Sequence, residues 1–166
     1  MIRTSLHLVP FAGIAFLWFI GVVREQLGDV EDRLFSTVFM GSGLLFLAML
    51  FSGAATSSSI VGMLDGPSTN PDVWAYASDN SQRLISVYAM RMAAVFTVSV
   101  STAALRASAL PHWVSYTGYA VALALLLGAA DQKWLQLLFP VWVLVVSTAI
   151  LFTSPPDRDR GPGTPP

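Results

Sequence analysis

The sequence predicts an all-α protein, a transmembrane helical bundle of about five spans with a disordered C-terminal tail, and three observations carry that prediction. Of its 166 residues, 54% are hydrophobic and only 11% charged, with a mean hydropathy of +0.63. A soluble domain carries roughly 25% charged residues, so this chain lacks the polar surface to dissolve. Its few charges are also clustered. They leave uncharged runs from Thr4 to Val23, Leu34 to Leu64, Leu110 to Ala130 and Trp134 to Pro156, and a fifth from Leu84 to Leu105 broken only by Arg91. Each run reaches the ~20 residues that cross roughly 30 Å of hydrocarbon, and in lipid only a helix satisfies its backbone within one segment. A β-barrel would alternate apolar and polar residues, which runs such as Val121 to Leu127 do not.

The first span is read over 6–23. Arg3 precedes it as in a signal peptide, yet it ends Phe19-Ile20-Gly21-Val22-Val23-Arg24 with no small-residue cleavage site, so the helix is retained. Gly28 suits a C-terminal cap and Asp29 or Asp32 the next N-cap, giving a tight antiparallel hairpin. The second run holds 31 uncharged residues. As one helix it would reach ~46 Å, too long for one upright crossing and too short for two. We expect a core span over 34–55 with a serine-rich extension to 64.

From Asp65 to Gln82 the chain turns to Asp, Ser, Asn, Pro and Gly, the composition of a surface loop. Trp74 and Tyr76 within it suit the membrane interface. The third span is read over 84–105. Pro111 opens the fourth, 111–128, at the position where its missing N–H does no harm. Asp131-Gln132-Lys133 forms a turn. The fifth span, 134–152, should kink at Pro140. The bundle thus occupies 1–153, and the tail 154–166, rich in Pro, Gly and Asp-Arg pairs, should be disordered.

Composition excludes several chemistries. A net charge of −1 offers no basic patch for nucleic acid. The absence of cysteine excludes disulfides, thiolate metal sites, iron–sulfur clusters and a cysteine nucleophile. The two histidines, His7 and His112, begin the first and fourth spans and so fall on opposite faces, which prevents joint ligation of haem or zinc. The spans contain no Asp or Glu, which argues against a proton-coupled carrier, whose relay needs an intramembrane carboxylate. Asp29, Glu31 and Asp32, beside Arg24 and Arg33, read as a solvated, self-paired loop rather than a cation site. No catalytic, metal-ligating or cofactor-binding residue is assigned, and no cofactor is expected.

One polar stripe stands out. Helical spacing places Leu84, Tyr88, Arg91, Val95, Ser99, Thr102 and Arg106 near one side of the third span. A charge at the bilayer centre costs ~2.5–3.5 kcal/mol on insertion scales. Arg91, Tyr88, Ser99 and Thr102 are therefore the candidate intramembrane site, lining a path or binding an ion. The plainer reading is an arginine snorkelling to the outer interface, paired with Asp65 or Asp79. Thr56, Ser57, Ser58 and Ser59 admit a polar cavity, or close helix contact through Gly53-x-x-x-Ser57 and Ser58-x-x-x-Gly62. Gly41, Gly43, Gly118 and Gly128 invite the packing reading as well.

With five spans, Arg3, Arg83 and Lys133 share one side, and Arg24, Arg33, Arg106, Arg158 and Arg160 the other. This bias predicts a multi-pass protein of the cell membrane, N-terminus outside and C-terminus in the cytoplasm. Its expected partners are the lipid bilayer and a homo-oligomer or larger membrane complex. Two functions fit: a non-enzymatic bundle acting as an accessory subunit, or a homo-oligomeric small-solute transporter or channel with Arg91 in the path.

The stretch Leu6 to Arg24, followed by Glu31-Asp32-Arg33-Leu34-Phe35 and Phe39-Met40-Gly41-Ser42-Gly43, resembles a group of uncharacterised bacterial polytopic membrane proteins. Leu110-Pro111-x-Trp113 with Gly118-Tyr119 is similar to a turn in related domains of unknown function. The resemblance implies a helical bundle, with a further helix ahead of the one that opens this chain. It transfers no catalytic residue.

Overall fold

The computed structural model describes residues 2–27, 33–63, 70–107, 110–128 and 132–152. Six helices follow one another: α1 (Ile2–Leu27), α2 (Arg33–Met63), α3 (Pro71–Arg83), α4 (Met90–Ala107), α5 (His112–Gly128) and α6 (Leu138–Phe152). A π-helical segment, Leu84–Ala89, joins α3 to α4 without a break, and a 3-10 turn, Lys133–Leu137, leads into α6. There is no strand among the described residues.

Four helical stretches are long and apolar enough to cross a membrane: Leu8–Glu25, Ser36–Ile60, Pro71–Ala107 and Trp134–Phe152. The 17 residues of α5 reach ~25 Å, at the short end of the spanning range. The protein is an all-α transmembrane bundle.

Consecutive spans run antiparallel. Ile20 meets Gly43 across α1 and α2, Gly53 meets Ile85 across α2 and the π segment, and Ser101 meets Gly118 across α4 and α5. Helix α4 is the central element, with Ala93, Ala94, Phe96, Thr97, Val100, Ser101 and Ala104 all buried. Around Phe96 gather the rings of Phe39 at 5.1 Å, Phe16 at 5.2 Å, and Phe19 and Phe139 at 6.3 Å. These rings come from α1, α2 and α6, so one aromatic cluster ties four helices. Lipid tails are as apolar as phenylalanine, so close packing rather than transfer from water stabilises such a core.

Several sequence expectations change. Residues 71–82 are helix, not loop. The Asn70-Pro71 pair, inside the stretch read as a loop, is a helix start: the Asn70 side chain accepts from the Asp72 N–H at 3.0 Å, and Pro71 takes the first helical position. The third span therefore continues a helix that begins well before 84. The second run is a single helix of 31 residues, its serine-rich extension included. Helix α1 is also longer than 6–23, with Pro10 inside it.

Pro140 stands near the start of α6 rather than in its middle. Because 133–137 is a 3-10 turn, α6 begins at Leu138 and Pro140 falls in its first turn, where backbone N–H groups have no intrahelical partner to lose. Pro111 stands at the entrance of α5, its carbonyl accepting from the Val114 N–H at 2.9 Å. The proposed caps Gly28, Asp29 and Asp32, the acidic loop, and the tail 154–166 lie outside the described residues.

Candidate functional site

The structure does not gather the four residues of the polar stripe around one point. Tyr88 and Arg91 are exposed on the outer side of the helix, while Ser99 is only 5% exposed. The Ser99 hydroxyl donates to the Val95 carbonyl at 2.9 Å, and Thr102 donates to the Val98 carbonyl at 2.8 Å. With its proton so used, Thr102 accepts from the Tyr119 hydroxyl at 2.7 Å. Arg91 lies eleven residues before Thr102 in a helix, ~16 Å along the axis. Arg91 and Tyr88 thus form one exposed pair, and Ser99 and Thr102 belong to packed helix contacts.

Asp79 is not the partner of Arg91. The two stand twelve residues apart in one unbroken helix, ~18 Å along its axis. Asp79 instead accepts from Arg83 Nε at 2.8 Å, one turn away. Asp65 lies outside the described residues.

The hydroxyl cluster of α2 divides. Ser57 and Ser81 lie 2.6 Å apart, and each hydroxyl sits 2.9 Å from the Gly53 carbonyl. A Cβ on Gly53 would stand 2.6 Å from Ile85 Cγ1, so Gly53-x-x-x-Ser57 is a close contact between α2 and the helix that follows it. Ser58-x-x-x-Gly62 is not: Ser58 is exposed and a Cβ on Gly62 would meet nothing within 4 Å. Gly41 is equally open, while Gly43 is pressed by Ile20 and Phe96 and Gly128 by Leu135. Thr56 and Ser59 bond back to the Ser52 and Ala55 carbonyls in their own helix.

A polar centre that sequence reading missed lies where α4, α5 and α6 meet. Ser101 Oγ, Ser115 Oγ and Trp142 Nε1 are all buried without a hydrogen-bond partner among the described residues. Gly118 sits against two of them: a Cβ there would overlap Ser101 Oγ and stand 3.0 Å from Trp142 Nε1. The available signal was Ser115 three residues before Gly118, on the same helix face, and an indole N–H in an apolar run, which needs a partner when buried. At the other end of the helix, Gln136 donates to Ser86 at 2.9 Å and ties the 3-10 turn to the π segment.

His112 opens α5 and His7 lies in the first turns of α1. The antiparallel order puts those two helix starts at opposite ends of the bundle. Among the described residues no three His, Asp or Glu side chains gather as a metal site.

Fold and side chains together define a small polytopic helical membrane protein. Comparison with protein-family models, curated proteins and solved structures finds no match for this chain.

Proposed function

We propose that this chain is a non-enzymatic component of a membrane assembly, an accessory subunit or homo-oligomer whose α2–α3 hairpin presents the contact surface. One observation carries the reading. Val73, Trp74 and Tyr76 on α3 are 45%, 43% and 75% exposed, and Tyr76 stands fifteen residues beyond Arg91 in a continuous helix. That distance is ~22 Å, past the depth at which α5 ends and α6 begins. Exposed apolar residues such as Trp18, Leu127 and Leu144 face hydrocarbon and need no further account. Aromatic side chains held above the lipid do, because such residues are enriched where protein partners dock.

Blue-native electrophoresis after mild detergent extraction tests this. We expect a band well above the monomer's 17.9 kDa plus bound detergent. Joint replacement of Val73, Trp74 and Tyr76 by alanine should release the monomer. A wild-type chain migrating as a lone monomer with no co-purifying protein would sink the proposal.

The reading places the N-terminus and the α2–α3 hairpin outside the cell membrane and the C-terminus in the cytoplasm, on the Lys/Arg asymmetry. The chain has no cysteine, so a single Tyr76→Cys substitution reports topology directly. We expect a membrane-impermeant maleimide to label it in intact cells; labelling only after lysis reverses the orientation. Solute passage along the Arg91 stripe draws less support, because the Ser99 and Thr102 hydroxyls are already bonded within the protein.

A further inference from the structure

We propose that Arg91 and Tyr88 form a binding site for the phosphate of an anionic phospholipid, on the outside of the bundle at the level where α5 and α6 meet. Position supports this first. Thr102 and Tyr119 touch across α4 and α5 and fix the register of the two antiparallel helices. From that contact, Arg91 lies eleven residues along α4, ~16 Å, and Gly128, the last residue of α5, nine residues along in the same direction, ~14 Å. Arg91 is therefore level with the C-terminal end of α5.

Charge supports it next. The stretch 84–105 around Arg91 carries no Asp or Glu, and the Asp79 carboxylate stands ~18 Å away along the helix and is bonded to Arg83. Arg91 has no hydrogen-bond or ion-pair partner among the described residues, so its counter-charge comes from outside the bundle. A phospholipid phosphate is the anion that the bilayer itself brings within reach of a snorkelling arginine. The guanidinium offers two parallel N–H groups that match phosphate oxygens. Tyr88, three residues earlier and also exposed, adds a phenolic O–H from the same side of the helix. An arginine's methylene stem can cover apolar surface while its charged head extends to the interface. The site is independent of whether the hairpin above it docks a protein partner.

The full-length chain, stripped of lipid in mild detergent, would be titrated with phosphatidylglycerol, phosphatidylcholine or inorganic phosphate and read by native mass spectrometry. We expect one phosphatidylglycerol per chain to bind more tightly than phosphatidylcholine. R91Q should weaken it roughly tenfold or more, the range of a lost charge-assisted hydrogen bond. Y88F should weaken it less, and R91K should retain part of the affinity, since lysine keeps the charge but not the fork. R83Q, at an exposed arginine already paired above the span, should change nothing.

Unchanged phosphatidylglycerol binding in R91Q would overturn the site. Inorganic phosphate competing as an equal would show a free-anion site and overturn the lipid assignment. A change in oligomer mass with lipid binding intact would assign Arg91 to a second protein chain instead, and also overturn it. Should R91Q fail to fold, by its circular dichroism, R91K and Y88F decide the same question: wild-type affinity in both overturns the proposal.

Discussion

Replacing Gly118 with alanine is expected to lower the thermal midpoint of the detergent-solubilised protein by several degrees. The added Cβ would overlap Ser101 Oγ and press on the Trp142 indole, and both neighbours are buried between α4, α5 and α6. Overpacking of this kind costs about 1–3 kcal/mol, and each kcal/mol moves the midpoint by about 2–4 °C for a chain of this size. The strain has a specific partner, which makes the prediction sharper than a loss of stability alone. Ser101→Gly removes the obstructing hydroxyl and its Cβ, so the double variant should recover part of the loss. Ser101→Ala alone should be neutral or slightly stabilising, because it deletes a buried hydroxyl that has no partner among the described residues. A wild-type midpoint in Gly118→Ala would mean that α4 and α5 do not approach this closely.

The contrast between Gly118 and Gly62 shows what sequence can and cannot reveal in such a bundle. Both were small residues in apolar runs, and both invited the packing reading. Only Gly118 has neighbours within contact distance, because a helix in lipid can turn either face inward and composition does not say which. Length and hydropathy, by contrast, were legible. Hydrocarbon thickness sets the number of apolar residues a span needs, so all five runs appear as helix.

Residues 71–83 escaped because their polar composition satisfies a loop and a water-exposed helix alike. What separates the two is the Asn70 cap on the Asp72 N–H, which sets the backbone of the first turn. The π segment gave no warning either: Leu84 to Ala89 contains no proline or glycine. Arg91 was visible as a charge in an apolar run. Its exposure, and the packed state of Ser99 and Thr102 on the same stripe, depended on where α5 lies. That placement is tertiary, and no local pattern encodes it.

Phe96→Ala is expected to be the most destabilising single truncation in the bundle. Phe96 is fully buried, and four rings surround it within 6.3 Å. In a water-soluble protein such a change costs about 3–5 kcal/mol, part of it lost transfer from water and part the cavity left behind. Here the transfer part largely vanishes, since a helix separated from its neighbours would bathe the ring in lipid rather than water. What remains is lost contact between the ring and its partners on α1, α2 and α6, and we expect about 2–3 kcal/mol on that account. Phe96→Leu should cost less because it keeps most of the volume. Trp18→Ala, at a ring 76% exposed on α1, should be near neutral despite removing a larger side chain. Steric-trap or denaturant unfolding in bicelles would rank the three. If Trp18→Ala proved as costly as Phe96→Ala, the face of α1 assigned to lipid would instead be covered by protein.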